Sequence, residues 1–127
     1  MFWTLIQIAA GGALGAVGRH LTGLAAIRLL GDGFPHGTAV VNAVGCLAMG
    51  VAFSVLYEAG QHPSRTAPFI MTGFLGGYTT FSAYSLDFWQ LMAGGRTGAA
   101  LLYATGSLAI SVAALFAGIV LAREAFG

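Results

Sequence analysis

The sequence predicts an all-α membrane protein with four transmembrane helices per subunit, and three observations carry that expectation. The 127 residues are 57% hydrophobic and 7% charged, with a mean hydropathy of +0.84, whereas a soluble domain carries about 25% charged residues. The charges punctuate four long uncharged runs, 1–18, 33–57, 66–86 and 97–122, each of 18 residues or more. About 20 apolar residues cross a bilayer core as a helix, so each run can supply a crossing. Small residues also recur at four-residue spacing (Gly11 and Gly15, Gly12 and Ala16, Cys46 and Gly50), which lets membrane helices approach closely.

Each element has its own warrant. The first helix can continue past Arg19 toward Leu30, its arginines reaching the interface or a wet cavity. The 31–35 segment, Gly-Asp-Gly-Phe-Pro, ends it, because Gly and Pro both stop helices. The second helix is expected from residues 36–38 to about 57. The 58–68 stretch, with Gly60, Pro63 and Pro68, reads as a polar connection. The third crossing spans about 68–93 and is predicted to break near 76–78. There Gly76-Gly77 costs about 1 kcal/mol per residue against Ala in a helix interior, and Thr79 and Thr80 do little to repair it. Backbone groups freed in lipid must find partners in protein, water or an ion. Gly94-Gly95-Arg96 is a turn, and the fourth helix spans about 97–122. Nothing is left for a second domain: residues 1–127 form one four-helix transmembrane domain.

Composition also excludes classes. A net charge of +1 provides no basic patch for nucleic acid. The single cysteine, Cys46, excludes an intrachain disulfide and any Cys-based metal site within one subunit. No basic region precedes the first apolar run and three more runs follow, which argues against a cleaved signal peptide. No nucleophile–base pair, metal-ligand cluster or phosphate loop is present, so the chain is not read as an enzyme. His20, His36 and His62 fall singly at predicted helix ends.

Four crossings put both termini and the 58–67 loop on one side, with Arg65 and Arg123. Arg28 and Arg96 lie on the other, joined by Arg19 if it faces that end. So even a balance gives the positive-inside rule no direction. The expectation is a dual-topology chain forming an antiparallel homodimer, since one four-helix subunit is too thin to enclose a pore.

Polar residues inside a membrane are costly and mark pathways or sites. Thr38 and Asn42 share a helix face, and the Asn amide has two N–H donors suited to an anion or to a neighbouring helix. Tyr103, Ser107 and Ser111 form a hydroxyl stripe at four-residue spacing. Back-bonding to the i−4 carbonyl is the other role open to such serines. Phe81 and Tyr84 share a face after the break, and their positive ring edges could contact a small anion; core or lipid packing is the alternative. The break at 76–80 is either a hinge or a source of carbonyl ligands for a dehydrated cation.

Three stretches then resemble the signatures of the bacterial Fluc (CrcB-type) fluoride channels. They are Gly11-Gly-Ala-Leu-Gly-Ala-Val-Gly-Arg19, Gly37-Thr-Ala-Val-Val-Asn-Ala-Val-Gly45 and Gly73-Phe-Leu-Gly-Gly-Tyr-Thr-Thr-Phe-Ser82. Their order, spacing and the chain length all fit, and the third is the most specific. The resemblance implies a dual-topology homodimer with two antiparallel fluoride pores in the bacterial cytoplasmic membrane. It also implies a structural Na⁺ on the twofold axis, bound by the carbonyls of Gly76 and Thr79 from both subunits. The pore would be lined by Asn42, Phe81 and Tyr84, with Thr38, Thr80, Tyr103, Ser107 and Ser111 as a polar track and Arg19 at a vestibule. Two positions depart from the family pattern. Tyr84 stands where Phe is usual and adds a donor expected to change how the ion is held. Asp87 stands where Glu is commoner and is one methylene shorter.

The function expected is passive export of cytoplasmic fluoride down its electrochemical gradient, which confers fluoride resistance. Fluoride is strongly hydrated, so its path must replace water with close donors. Two alternatives compete with it. A small proton-coupled drug or guanidinium transporter is disfavoured by the lack of a carboxylate in the first crossing. A non-conducting structural membrane subunit would need neither the hydroxyl stripe nor the break.

Overall fold

In the computed structural model, which describes residues 1–60 and 62–127, every regular element among the described residues is helical. Helix α1 spans Phe2–Leu30 and runs through Arg19 and Arg28 without a break. Gly31 ends it at φ 80°, a left-handed conformation open to glycine, with its N–H on the Ile27 carbonyl. Pro35 precedes helix α2, His36–Phe53, which widens into a π-helical segment, π1, at Ser54–Glu58. A second π-helical segment, π2, runs over Pro68–Leu75 with its proline at the first turn, where a missing N–H costs nothing. One α-helical turn follows as α3, Gly76–Tyr78, then α4, Phe81–Ala93, and α5, Thr97–Phe126. The connection expected at 58–68 is described except for residue 61. His20 lies well inside α1 rather than at a helix end, because that helix does not stop at Arg19.

The packing is inside out relative to a water-soluble bundle. The residues α1 buries are Gly11, Gly15 and Ala26, while Leu14, Val17, Leu21 and Leu24 point outward. Helix α5 buries Ala100, Tyr103, Ser107, Ser111, Gly118 and Ala122 and exposes Leu102, Ile110 and Phe116. Small and hydroxyl residues inside, with large apolar ones outside, is how helices pack when the surrounding solvent is lipid. The stretch His36–Glu58 and helix α5 are each long and apolar enough to cross a membrane.

Backbone proximity sets the assembly. A Cβ on Gly15 would sit 2.1 Å from the Phe74 carbonyl oxygen, and one on Gly77 would sit 2.6 Å from that of Gly12. Glycine is therefore required where α1 lies against π2 and α3. Likewise α2 and α5 meet at Gly50 and Gly118, whose added Cβ atoms would lie 2.1 and 2.2 Å from the carbonyl oxygens of Leu115 and Leu47. One end of the bundle is tied by Arg123, whose Nε donates to Glu58 at 2.8 Å, and by the buried Ser54 hydroxyl donating to the same carboxylate. At the other end Arg96 donates to the Gly33 carbonyl.

Candidate functional site

The site begins at two residues that leave the helix. Thr79 (φ −78°, ψ 158°) and Thr80 (φ −152°, ψ 124°) are extended, between the end of α3 and the start of α4. Gly76 and Gly77 are helical, so the interruption falls later than their low propensity predicts. Its cause is tertiary. The Thr80 N–H, which a continuing helix would give to the Gly76 carbonyl, is donated instead to Asn42 Oδ1 at 2.8 Å. Asn42 Nδ2 in turn donates to the Thr80 carbonyl at 2.9 Å. One turn on, the Ala83 N–H would serve the Thr79 carbonyl in a continuous helix, but Thr80 Oγ1 takes it at 3.1 Å as an N-cap. Gly76 and Thr79 thereby lose the donors that a helix supplies to their carbonyls. Gly76 is exposed on the subunit surface, where lipid offers a carbonyl no partner.

Neighbouring groups fix the rest of the segment. The Leu75 carbonyl accepts both the Thr79 N–H (3.0 Å) and the Thr79 hydroxyl (2.9 Å). Tyr78 stacks on Phe74 with ring centroids 6.1 Å apart, and its hydroxyl pairs with Thr22 at 2.9 Å. Arg19 donates from Nε to the Gly77 carbonyl at 3.2 Å, so it braces the break from the α1 side.

On the other side of Thr80 lies a pocket of about 230 Å³ that brings together Asn42, Thr80, Phe81, Tyr84, Ser107 and Ser111. Thr79, Cys46, Leu108 and Val112 complete its wall. The Phe81 and Tyr84 rings are 5.4 Å apart and tilted by 42°. Asn42 has one amide hydrogen engaged by Thr80, which leaves one donor for the pocket rather than the two its residue type offers. The extra donor of Tyr84 is spent as well, its hydroxyl donating to the Ala104 carbonyl at 2.6 Å. The pocket therefore receives a ring there, much as a Phe would supply, and the expectation of a new donor is corrected.

The remaining track residues lie one layer further along. Tyr103, 2% exposed, has its ring 5.4 Å from that of Tyr84 and edge-on to Phe34 at 5.6 Å. Its hydroxyl donates to Asp87 Oδ2 at 3.0 Å, so the shorter carboxylate does find a partner. Thr38 and Asp87 line a second, more polar pocket of about 380 Å³ with Asp32, His36, Gln90 and Arg96. Tyr103 stands between the two spaces. Sequence reasoning assigned Cys46 to helix packing, yet it lines the first pocket. Its position four residues after Asn42 on one face is the signal that places it there. The Gly77 carbonyl bound by Arg19 had no such signal.

An all-helical architecture among the described residues, with large apolar side chains on its exterior, two membrane-length helices and a pocket that gathers amide, hydroxyl and aromatic side chains, defines a small helical membrane protein. Residues 6–119 match the family model of the CrcB-like protein, Camphor Resistance (CrcB) family, and the chain belongs to that family. Its curated relatives include the fluoride-specific ion channel FluC of Cereibacter sphaeroides, 49% identical over 123 residues and covering 97% of each chain. That of Paracoccus denitrificans is 47% identical over 124 residues, again 97% of each chain. That of Caulobacter vibrioides is 42% identical over 123 residues, 96% of this chain and 97% of the relative. The family is one of ion channels, not of enzymes.

Proposed function

We propose that this protein is a fluoride-selective channel through which cytoplasmic fluoride leaves passively down its electrochemical gradient, protecting the cell from the anion. The observation that carries the reading is the pocket where the spare Asn42 amide hydrogen, the Ser107 and Ser111 hydroxyls and the Phe81 and Tyr84 rings converge. Fluoride holds its water tightly, so a selective path must offer donors at close range as that water leaves. A neutral amide and hydroxyls do so without trapping the ion as a fixed cation would, and ring edges add weaker positive charge. Family membership and the names of the relatives point the same way.

The functional unit is an antiparallel, dual-topology homodimer in the bacterial cytoplasmic membrane, each 127-residue chain crossing it four times as a single channel domain. Two features support a second copy. Phe81, beside the pocket, is 74% exposed in a single subunit, and the Gly76 carbonyl, deprived of its helical donor, lies at an exposed position. A structural Na⁺ at the twofold axis would take the Gly76 and Thr79 carbonyls of both subunits. The donor set fits it: neutral carbonyl oxygens without helical partners suit a dehydrated monovalent cation. The ion's charge would hold those dipoles together across the interface, and it takes no part in coupling or transport.

Proteoliposomes loaded with fluoride or chloride test the proposal, with efflux followed by an ion-selective electrode. Rapid fluoride release with chloride retained is the expected result. No release, or equal release of both ions, would overturn it.

A further inference from the structure

We propose that Asn42 is a positioning residue for the cation site as well as part of the pore wall, so that one carboxamide couples the two ion sites. This rests on the reading that the Gly76 and Thr79 carbonyls bind Na⁺. Its basis is the paired bond between Asn42 and the backbone of Thr80. The carboxamide accepts the Thr80 N–H at 2.8 Å and donates to the Thr80 carbonyl at 2.9 Å, the pattern by which one extended strand pairs with another. It does so across 38 residues of sequence, from helix α2.

The consequence follows from counting donors. With Asn42 present, the Thr80 N–H points away from Gly76, whose carbonyl keeps its lone pairs for another partner. Without it, the acceptor a continuing helix offers that N–H is the Gly76 carbonyl one turn back, and an N–H left unpaired away from water is costly. Closing that bond would pull Thr80 toward helical geometry and divert the Gly76 dipole from the cation. Asn42 also lines the pocket with Phe81 and Ser107, and its second amide hydrogen is not used on Thr80. Asn42 thus spares the Gly76 carbonyl a helical donor and keeps a donor of its own beside the pocket.

Two substitutions separate these roles. Asn42→Asp keeps an acceptor for the Thr80 N–H in either protonation state but has no amide hydrogen for the pocket. Asn42→Leu has similar volume and removes both functions. The purified dimer in detergent is heated in NaCl mixed with N-methylglucamine chloride at constant ionic strength, giving the Na⁺ concentration for half-maximal stabilisation. Fluoride efflux from liposomes is measured in parallel. The wild type is expected to be stabilised by Na⁺. In Asn42→Asp the midpoint should stay within about threefold of wild type while fluoride efflux falls. In Asn42→Leu the midpoint should rise about tenfold or more, the equivalent of about 1.4 kcal/mol lost from cation binding. Asn42→Ser, whose hydroxyl is too short for the paired bond, replaces the Leu variant if that protein does not fold. An unchanged Na⁺ midpoint in Asn42→Leu or Asn42→Ser overturns the proposal, as does a shift in Asn42→Asp as large as theirs. A wild-type protein indifferent to Na⁺ would instead remove the cation reading itself, and this inference with it.

Discussion

Gly45→Ala offers a graded test of how α2 sets the break. The added Cβ would lie 2.3 Å from Thr79 Cγ2 and 3.3 Å from Tyr78 Cδ2. The first distance is more than 1 Å short of ordinary contact, which begins at 3.4 Å. Thr79 has little freedom to yield, because it is β-branched and its hydroxyl and N–H are both bonded to the Leu75 carbonyl. Either the backbone at Thr79 moves or α2 backs away from it, taking Asn42 from Thr80. Overpacking of this kind costs about 1–3 kcal/mol. The expected result is a lower melting temperature in detergent and slower fluoride efflux from liposomes. Thr79→Ser removes Cγ2 while keeping the hydroxyl bond, so the double variant Gly45→Ala/Thr79→Ser should recover most of both losses. Recovery beyond the sum of the single effects would be direct coupling between these positions. If Gly45→Ala behaves as wild type, or the double variant is no better than it, the close approach of α2 to Thr79 does not control the break.

Three further outcomes follow from the same geometry. Phe81→Ile should suppress fluoride efflux while the dimer elutes unchanged from a sizing column; an unaltered rate would take that ring out of the pore. Tyr84→Phe should keep efflux within about threefold of wild type, because the lost hydroxyl bonds Ala104 rather than the pocket. Its stability cost should be about 0.5–1.5 kcal/mol, the net worth of one hydrogen bond, read as a small fall in melting temperature. Impermeant thiol labelling of cysteines introduced at both termini should tag two oppositely oriented populations in intact cells, and one uniform orientation would exclude dual topology.

Much of the helical layout was legible because it is written in local chemistry. Scarce charges and the Gly31-to-Pro35 stop mark helix ends, and the run 33–57 differs by little from the helical span His36–Glu58. The hydroxyl stripe was legible by spacing alone, and Ser107 and Ser111 do line one pocket. Three things were not. The π-helical geometry of Pro68–Leu75 has no composition signal. The hydroxyl of Tyr84 and the carboxylate of Asp87 look free in sequence, and only the proximity of α5 shows that both are engaged. The break falls within the expected 76–80 stretch, but its place at Thr79 and Thr80, after the glycines, was not legible, because propensity is a property of neighbours in sequence, whereas the bond that opens this helix comes from 38 residues away.

That displacement changes what the glycine pair is for. If Gly76-Gly77 broke the helix by low propensity, replacing either with Ala would heal it and little else would change. Both residues are helical, however, and a Cβ on Gly77 would lie 2.6 Å from the Gly12 carbonyl oxygen and 3.0 Å from Gly12 Cα. Gly77 is needed for the close approach of α1, which in turn brings Arg19 to the Gly77 carbonyl. A Cβ on Gly76 meets nothing nearer than 3.5 Å within its own subunit, so no such demand falls on it there. The interruption is therefore imposed from outside the segment by Asn42 from α2 and completed within it by the Thr80 cap, while α1 fixes the turn before it. A break made by propensity would flex, whereas one clamped by a paired amide and an N-cap is preorganised. That rigidity is what a site needs if its carbonyls are to replace the hydration shell of a small cation.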